Sequence, residues 1–461
     1  MTLLSTIDSG FLLTESHHSP KHIGSLMVYR LPKGKGPAWL RKMLDDMRQH
    51  PPSYPLDQRI KRQVGLLFDM ETDDRFEIDY HVRHTVLPRP GNDRQLNDVL
   101  ARMHANLLDR DRPLWEFHLI EGLSDRRFAL YFKVHHAMAD GITFGRWIDR
   151  STVTDPKDLS LRPIWAVTEE PEDAEQPDLS YAQIIQDGVK ALGGGIRTAI
   201  DVSLITAKMV QRRFFDKDDH VALPLSAPRT PINVHTGAAR AVSFTAYRLE
   251  ALRAIGKSQG GTINDVVMTM CDMAVSRYFD EHGTRLKGPL VAYMPVSIRT
   301  AESDGRGNLV TLLQVKLASR HEDPLDSLAE VRESIDSARE VFSGASSTAV
   351  QYYSLMVALL SLFEELLNLD RLLPPVNNMV ISNVPGSRVQ RYLRGAESIG
   401  VYPVSTLPPL TALNVTACSF AGTMYFGLIA GRTAIPDLDT LTEYLDDAFF
   451  ALAEATGVST D

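Results

Sequence analysis

The sharpest chemical signal in this 461-residue chain is a pair of histidines, His135 and His136, followed after three residues by Asp140 and Gly141. The pair comes directly after the apolar stretch FALYFKV, which is typical of a strand. Adjacent residues of a strand point to opposite faces, so one histidine should face a cleft and the other the packed side. A histidine that titrates near neutral pH can act as a general base. The HHxxxDG pattern therefore predicts a catalytic turn where a strand ends.

Asp140 and Gly141 complete this turn, and each has two possible roles. Asp140 could orient the imidazole directly, or it could pair with an arginine and hold the turn; we favour the structural role. Gly141 would permit a backbone conformation that other residues resist. The two histidines are not expected to bind zinc, because no further His or Cys stands at metal-ligand spacing. A single histidine at a strand end is often only a satisfied polar residue, but the paired motif argues against that interpretation.

The rest of the sequence narrows the reaction that such a base could serve. It contains no GxSxG nucleophile elbow, no P-loop and no dinucleotide-binding glycine pattern. Cys271 falls inside a predicted helix and Cys418 in an apolar strand, and neither has a histidine close in sequence. We therefore expect the base to activate a hydroxyl or amine of the substrate, which attacks an already activated acyl group without an acyl-enzyme.

Helix and strand patterns divide the chain into two α/β blocks that should face one cleft. The first block covers residues 1–155, with strands predicted at 22–31, 77–87, 114–120 and 128–135. Residues 156–237 form an acidic, proline-rich linker with connecting helices at 181–192 and 196–215. The second block covers residues 238–461 and opens with a strand and a long helix, Thr262 to Phe279. A ligand site is expected between the two blocks.

Composition excludes several other classes of protein. The hydrophobic fraction is 44% and the charged fraction 23%, as in ordinary globular proteins. The net charge of −9 argues against a general nucleic-acid binder. Two distant cysteines do not make a disulfide framework and fit a reducing compartment. The N-terminus has no signal-peptide pattern and no apolar run is long enough to span a bilayer, so we expect a cytoplasmic or peripheral protein.

At this point the motif and its setting resemble the acyl-CoA-dependent acyltransferases of the chloramphenicol acetyltransferase and condensation-domain superfamily. Further segments narrow the resemblance to the bacterial wax ester synthase/diacylglycerol acyltransferase family, and it extends from residue 1 to about residue 435. These segments are Ile7-Asp8, His22-Ile23-Gly24, Pro113-Leu114-Trp115-Glu116, Asn264-Asp265-Val266-Val267, Pro295-Val296-Ser297-Ile298-Arg299, Ile381-Ser382-Asn383-Val384-Pro385-Gly386 and Tyr402-Pro403-Val404.

The resemblance implies a fold, a reaction and a set of roles. The fold would be two chloramphenicol-acetyltransferase-like α/β subdomains, mixed sheets with flanking helices, around a central cleft or tunnel. His136 would take the proton from the hydroxyl of a fatty alcohol or diacylglycerol, and His135 would support it. No cofactor is implied, since acyl-CoA is the acyl donor and thus a substrate. Asn264, at a helix start, would polarise the thioester carbonyl or orient a substrate.

Other matched residues receive weaker expectations. Asp265 should cap its helix, and Leu114 and Trp115 should pack in the core. Arg299 is the candidate partner of Asp140. Together with Arg299, the residues expected around the acyl-CoA are Gly141, Ser382, Asn383 and Gly386. For Gly386, a tight turn is an equally good explanation.

Two departures from the family pattern concern the substrates. Phe144 stands where family members often carry a small residue, so we expect its ring to shape the acceptor channel. Ser387 stands where proline is usual, which predicts a looser loop. Three arginines after Gly386, namely Arg388, Arg391 and Arg394, are a candidate patch for the CoA phosphates, with a solvated charged face as the alternative.

Two apolar segments could contact a membrane or lipid surface. Residues 351–373 are explained either as a buried helix, which we favour, or as a lipid-facing amphipathic segment. Residues 201–215 combine Lys208, Arg212 and Arg213 with apolar neighbours. These segments predict a cytoplasmic protein that associates peripherally with the inner membrane or with lipid inclusions.

Three rival functions share some of these features. An amide-forming condensation enzyme also uses HHxxxDG, but no carrier or adenylation domain is attached. An HxxxxD pair, His135 and Asp140, occurs in membrane glycerol-phosphate acyltransferases, yet the doubled histidine and the DG ending disfavour that assignment. A lipid-droplet protein without turnover would not need an intact motif.

Overall fold

The computed structural model describes residues 2–4, 6–62, 68–168, 203–297, 310–319, 321–345 and 347–460. Its helices are α1 (Thr6–Thr14), α2 (Pro37–Arg48), α3 (Ile78–His81), α4 (Asp93–Ala105), α5 (Gly141–Ser151), α6 (203–214), α7 (Leu249–Ser258), α8 (Ile263–Glu281), α9 (Pro324–Val341), α10 (Ser347–Leu366) and α11 (Leu438–Thr456). Its strands are β1 (Thr2–Leu3), β2 (His22–Arg30), β3 (Gln58–Arg62), β4 (Phe68–Thr72), β5 (Val82–Val86), β6 (Trp115–Leu123), β7 (Arg127–His135), β8 (Arg240–Arg248), β9 (Val291–Ser297), β10 (Val310–Lys316), β11 (Met379–Val384), β12 (Tyr392–Leu393), β13 (Ala396–Val404), β14 (Leu413–Phe420) and β15 (Thr423–Gly431).

The first sheet carries the histidine motif on a central strand. Its strand order is β12-β13-β2-β7-β6-β5, and β2 and β7 pair antiparallel with His22 opposite His135. Both faces of β7 are buried, which explains its almost continuous apolar sequence. One face packs on a core with α2 and α5, and the other faces α4 and the second sheet. The motif therefore projects from the end of a strand that is held on both sides.

The second sheet has the order β10-β9-β11-β14-β15-β8, with β11 parallel to both of its neighbours. Helices α7, α8, α9 and α11 cover one face and share a large apolar core with it. Helix α8 is buried along most of its length, as expected for the helix predicted from Thr262 onward. The mixed α/β class with two packed sheets confirms the fold predicted from the sequence.

The two sheets meet where β13 crosses β15. A side-chain carbon at Gly427 would lie 1.7 Å from the carbonyl oxygen of Pro403, so only glycine allows this close approach. Helix α4 also packs against β8. The first sheet thus takes β12 and β13 from residues 392–404, far beyond the first block. The boundaries after residues 155 and 237 remain predictions, but sheet membership does not follow them.

Several predicted elements need correction. The predicted strand at 77–87 is a short helix, α3, followed by the shorter strand β5. Strand β13 was not predicted, because Gly400 and Pro403 weaken its strand pattern. Helix α6 confirms part of the helix predicted at 196–215, whereas the predicted helix at 181–192 and linker residues 169–180 lie outside the described residues. None of the described helices is long and apolar enough to cross a membrane.

Candidate active site

The histidine motif sits where β7 ends, and neighbouring segments fix its backbone. The amide of His135 donates to the carbonyl of Leu114 at 2.9 Å. The amide of His136 donates to the carbonyl of Lys21 at 2.8 Å. The strand ends at His135, which is fully buried, while part of His136 reaches solvent. This difference confirms that the two histidines have different surroundings.

The imidazole of His136 is held in an apolar setting. Its ring stacks on that of Phe11, with ring centroids 4.3 Å apart and an angle of 18° between the planes. The pKa of His136 is lowered to about 4, mainly by burial and also by the nearby His135 and Lys21, while Asp140 opposes the shift. Nδ1 is buried and makes no hydrogen bond to the described residues. At neutral pH the ring is therefore unprotonated and able to accept a proton.

His135 contacts a carboxylate that sequence analysis did not identify. Its Nδ1 accepts a hydrogen bond from the amide of Ala137 at 3.1 Å, and its Nε2 lies 3.4 Å from Oε1 of Glu15. Burial would raise the pKa of Glu15, but contacts with His135, Lys21 and Arg110 lower it to about 2. The first motif histidine is thus packed beside an ionised carboxylate.

Asp140 caps the helix that follows the motif. Its Oδ1 accepts a hydrogen bond from the amide of Thr143 at 2.6 Å, the usual N-cap arrangement at the start of α5. This bond agrees with the structural role that we favoured. The proposed partner, Arg299, lies outside the described residues, so that pairing remains a prediction.

The expected special backbone at Gly141 is wrong, because its φ angle is not in the left-handed region. What distinguishes the position is a neighbour. A side-chain carbon at Gly141 would lie 3.5 Å from Cγ2 of Val384, at the end of β11. The HHxxxDG turn of the first sheet and the end of a central strand of the second sheet are therefore in near contact.

The same strand end carries two of the predicted polar residues. Nδ2 of Asn383 donates to Oδ1 of Asn264 at 2.8 Å, which joins the β11 end to the start of α8. Asp265 accepts from the amide of Thr262 at 2.6 Å and caps α8, as predicted. Asn264 on α8 and Asn383 on β11 are thus joined next to Val384, the residue that approaches the HHxxxDG turn. A ligand site between the blocks stays a prediction.

The loop after β11 is tightly packed. A side-chain carbon at Gly386 would lie 2.2 Å from the carbonyl oxygen of Ser419, so the backbone contact itself explains this glycine. Ser387 is buried, its hydroxyl accepts from Nε of Arg391 at 3.1 Å, and its carbonyl accepts from Ala421 at 2.9 Å. These bonds contradict the looser loop predicted from Ser387. Ser382 is half-buried, and its contact with acyl-CoA stays a prediction.

The candidate phosphate patch is largely neutralised. Arg394 pairs with Asp46 at 2.6 Å, and Arg391 lies 3.7 Å from Asp149. Arg388 is exposed. Ion pairs across elements cannot be read from spacing in the sequence, and here they argue against the three arginines as a single phosphate site.

Phe144 and Trp115 both belong to the core of the first sheet. Phe144 is 5% exposed and packs against Phe132, with ring centroids 5.5 Å apart. Its ring therefore belongs to the core, and its role in shaping the acceptor channel stays a prediction. Trp115 is fully buried, and its Nε1 donates to the carbonyl of Leu56 at 2.7 Å. The packing role predicted for Leu114 and Trp115 is confirmed.

Sequence analysis missed Phe11, Glu15 and Lys21, which surround the motif from a segment more than 100 residues earlier. The pairing of β2 with β7 and the bonds of Arg110 to Leu12 and Glu15 bring this segment to the motif. Among the described residues, no group of three or more His, Cys, Asp or Glu is arranged to hold a metal ion.

Comparison with known proteins identifies the family. The model of the wax ester synthase/diacylglycerol acyltransferase catalytic domain matches residues 4–267, and that of the WS/DGAT C-terminal domain matches residues 306–453. The chain is 32% identical to probable diacylglycerol O-acyltransferase tgs2 of Mycobacterium tuberculosis over 99% of this chain and 100% of that protein. It is 33% identical to O-acyltransferase WSD of Acinetobacter baylyi over 97% of this chain and 96% of the relative.

Solved structures agree with this result. The wax ester synthase/diacylglycerol acyltransferase from Marinobacter aquaeolei VT8 matches with a TM-score of 0.77 and 29% identity, over 99% of this chain and 100% of that one. The first condensation domain of the CDA synthetase, 17% identical with a TM-score of 0.56 over 99% of this chain and 98% of that one, shares the fold. The chain is therefore an acyltransferase that belongs to the wax ester synthase/diacylglycerol acyltransferase family.

Proposed function

We propose that the enzyme transfers a long-chain acyl group from acyl-CoA to the hydroxyl of a fatty alcohol or a diacylglycerol, with His136 as general base and no acyl-enzyme. The imidazole takes the hydroxyl proton as the oxygen attacks the thioester carbonyl. The new C–O bond gives a tetrahedral oxyanion, which collapses, breaks the C–S bond and expels CoA thiolate. The imidazolium then returns its proton to the thiolate. The reaction as written needs no cofactor.

One observation carries this proposal: His136 is an unprotonated imidazole beside the turn whose Gly141 comes close to the second sheet. Burial keeps its pKa at about 4, and Nδ1 lacks a partner among the described residues. A general base must be unprotonated and within reach of the substrate. The near contact of Gly141 with Val384 brings the end of β11 to the turn that follows His136, so groups of the second sheet can act on a substrate bound there.

The second sheet would supply the neutral donor for the oxyanion. Since Oδ1 of Asn264 accepts from Asn383, the Nδ2 group of Asn264 is the one left to donate. It also lies at the N-terminal end of α8, where backbone amides favour negative charge. A fixed amide donor of this kind stabilises charge that develops in the transition state.

We further propose peripheral contact with a lipid surface through α6 and α10. Helix α10 has an exposed stripe of apolar side chains, namely Met356, Leu359, Phe363 and Leu366, continued by Leu367 just after the helix. The carboxylate of Glu364, on the same helix, is buried instead. On α6, Leu204 and Phe214 are exposed too. The helices touch, since the Tyr353 hydroxyl lies 3.1 Å from the sulfur of Met209. Exposed contiguous apolar surface of this kind is typical of a membrane contact.

The reaction is tested with purified enzyme, palmitoyl-CoA and either hexadecanol or dipalmitoylglycerol, with products separated by thin-layer chromatography. We expect wax ester, triacylglycerol or both, with one CoA released per ester formed. Competition between the two acceptors at fixed acyl-CoA ranks them. CoA release without ester, or amide formation from a long-chain amine in preference to both hydroxyls, would contradict the proposal.

Lipid contact is tested separately by flotation with vesicles of mixed neutral and anionic phospholipid. Phe363→Ser combined with Leu366→Ser should reduce the floating fraction. Leu159→Ser is the control, because Leu159 is equally exposed, 63% against 63% for Leu366, but lies beside Gly395, between β12 and β13 of the first sheet. Equal flotation of the control and the double variant would exclude α10 as the contact.

A further inference from the structure

Glu15 is a buried carboxylate at the end of α1. Its side chain is only 2% exposed. Oε2 accepts from Nε and Nη2 of Arg110 at 3.0 and 2.7 Å, and the same Nη2 donates to the carbonyl of Leu12 at 2.8 Å. Arg110 therefore fixes one oxygen of Glu15 and anchors it to the helix that carries Phe11. A buried charge paired in this way is held in one position.

The other oxygen of Glu15 faces the histidine motif. Oε1 accepts from the amide of Lys21 at 3.1 Å and lies 3.4 Å from Nε2 of His135. Because Nδ1 of His135 already accepts from Ala137, the proton of the neutral ring belongs on Nε2, toward Glu15. The distance is long for a hydrogen bond, as is common before substrate binds.

Lys21 connects this carboxylate to the base itself. Its amide is bound to Glu15, while its carbonyl accepts from the amide of His136 at 2.8 Å. Glu15 therefore reaches His136 by two routes: through the peptide unit of Lys21 and through the ring of His135. Its pKa of about 2, which its partners lower against the effect of burial, keeps it ionised at neutral pH.

We propose that Glu15 is a positioning residue for the reaction, which fixes the HHxxxDG turn by holding His135 and Lys21 on either side of His136. This inference rests on the proposed function in taking His136 as the base. It predicts that the charge and reach of Glu15 affect turnover more than substrate binding, since a base displaced by about 1 Å can cost up to about a hundredfold in rate.

The first experiment is steady-state kinetics of Glu15→Gln with palmitoyl-CoA and hexadecanol. We expect kcat to fall by roughly tenfold to a hundredfold, with little change in KM. Glu77→Gln is the matched control: it breaks a comparable carboxylate–arginine pair, Arg112–Glu77 at 2.8 Å, which lies on the surface. The proposal fails if both variants behave alike, or if Glu15→Gln raises KM with kcat unchanged.

A double-mutant cycle with His135→Ala tests the route. If Glu15 acts through His135, the double variant should lose little more kcat than the worse single variant. Fully additive losses would overturn that route. The coupling between Glu15 and His135 can be measured whichever histidine is the base. Failure of the proposed function would show separately, as normal turnover in His136→Ala.

Glu15→Asp keeps the inference testable if loss of the charge unfolds the protein. Aspartate restores the charge opposite Arg110 but is one methylene shorter. We expect a melting temperature near that of the unaltered enzyme together with a lowered kcat. If Glu15→Asp kept both the melting temperature and the kcat of the unaltered enzyme, Glu15 would be a purely structural partner of Arg110 and the proposal would be overturned.

Discussion

The surroundings of the two sheets bury titratable groups of opposite kinds. Around the first sheet, burial is the largest cause that lowers the pKa of five histidines: His22, His81, His104, His118 and His136. Around the second sheet, burial raises the pKa of Asp272 to about 8 and that of Glu364 to about 7. The physical cause is the same, since burial disfavours the charged form. The first sheet thus holds neutral bases, and the second holds carboxyl groups that stay protonated to a higher pH than usual.

This difference gives the two regions opposite responses to pH. A histidine with a lowered pKa stays neutral in the folded protein, whereas the unfolded chain takes up protons below the ordinary value of 6.5. Stability from the first sheet is therefore lost as pH falls through 6.5 toward 4. Asp272 has the reverse sign: stability is lost as pH rises from 3.8 toward 8. Only the region of neutral bases contains the motif.

The largest expected effect is that of His136→Ala. Loss of a general base should lower kcat by about 10²–10⁴ while the protein stays folded. His135→Ala should cost less, because His135 acts on the base indirectly. In the unaltered enzyme, kcat/KM should fall only as pH approaches about 4, where the imidazole becomes protonated. Rates with palmitoyl-CoA and circular dichroism of each variant provide the measurements.

If His135→Ala were the more damaging of two equally folded variants, the assignment of base and supporting residue would be reversed. If kcat/KM instead fell as the pH dropped through about 6.5, substrate or solvent would have to reach the imidazole of His136 and remove the effect of burial on its pKa.

The second effect concerns the acids of the second sheet. Asp272 lies inside α8, and its Oδ1 has no hydrogen-bond partner among the described residues. Asp272→Asn removes the buried carboxyl group, which must lose its proton as the pH rises. Each unit of its pKa shift corresponds to ~1.4 kcal/mol, so above about pH 8 the variant should be more stable than the unaltered protein by a few kcal/mol. Urea unfolding at about pH 6 and about pH 9 measures this.

Glu454→Gln, at an exposed position of α11, is the control and should leave the pH dependence unchanged. An Asp272→Asn variant with the original alkaline loss of stability would show that another group of the second sheet causes it.

A smaller effect is expected from Asn264→Ala, which removes the neutral donor that the second sheet contributes. Loss of one hydrogen bond of about 1.4 kcal/mol in the transition state should lower kcat roughly tenfold. The pH at which activity falls should not move, because the amide does not titrate. If the pH at which activity falls did move in this variant, Asn264 would instead affect the protonation of His136.

The smallest effect is that of Asp140→Ala on folding. Loss of the N-cap of α5 should cost about 1 kcal/mol of stability, and activity should fall with it because the cap directly follows the motif. Urea unfolding and turnover are measured on the same preparation. Unchanged stability with abolished turnover would place Asp140 in the chemistry rather than in the helix cap.

Sequence could predict those residues of the candidate site that belong to short motifs of neighbouring residues. His135, His136, Asp140 and Asn264 can be predicted as site residues because each stands in a short motif, and the strand end or helix start that carries each motif is where the sequence predicts it. Glu15 and Phe11 were missed because their contacts depend on the pairing of β2 with β7. No local pattern marks a residue that becomes important only through sheet register.

The errors in the fold have similar causes. Strand β13 contains a glycine and a proline, which local propensity assigns to loops. The proline is tolerated because β12 pairs only with the start of β13, at residues 396 and 397, so no β12 partner is lost at the proline. Arg391 and Arg394 were grouped by spacing, whereas their acidic partners, Asp149 and Asp46, come from α5 and α2. Tertiary contacts decided both cases.

The return of β13 to the first sheet has a consequence for synthesis on the ribosome. Arg30 of β2 and its partner Glu397 of β13 are 367 residues apart, so at ~5–20 residues per second β2 waits roughly 20 to 70 s for its neighbour. During that time one edge of this nine-residue apolar strand can pair with other chains. A product truncated before residue 392 would keep that edge open permanently and should aggregate, although it contains the whole histidine motif.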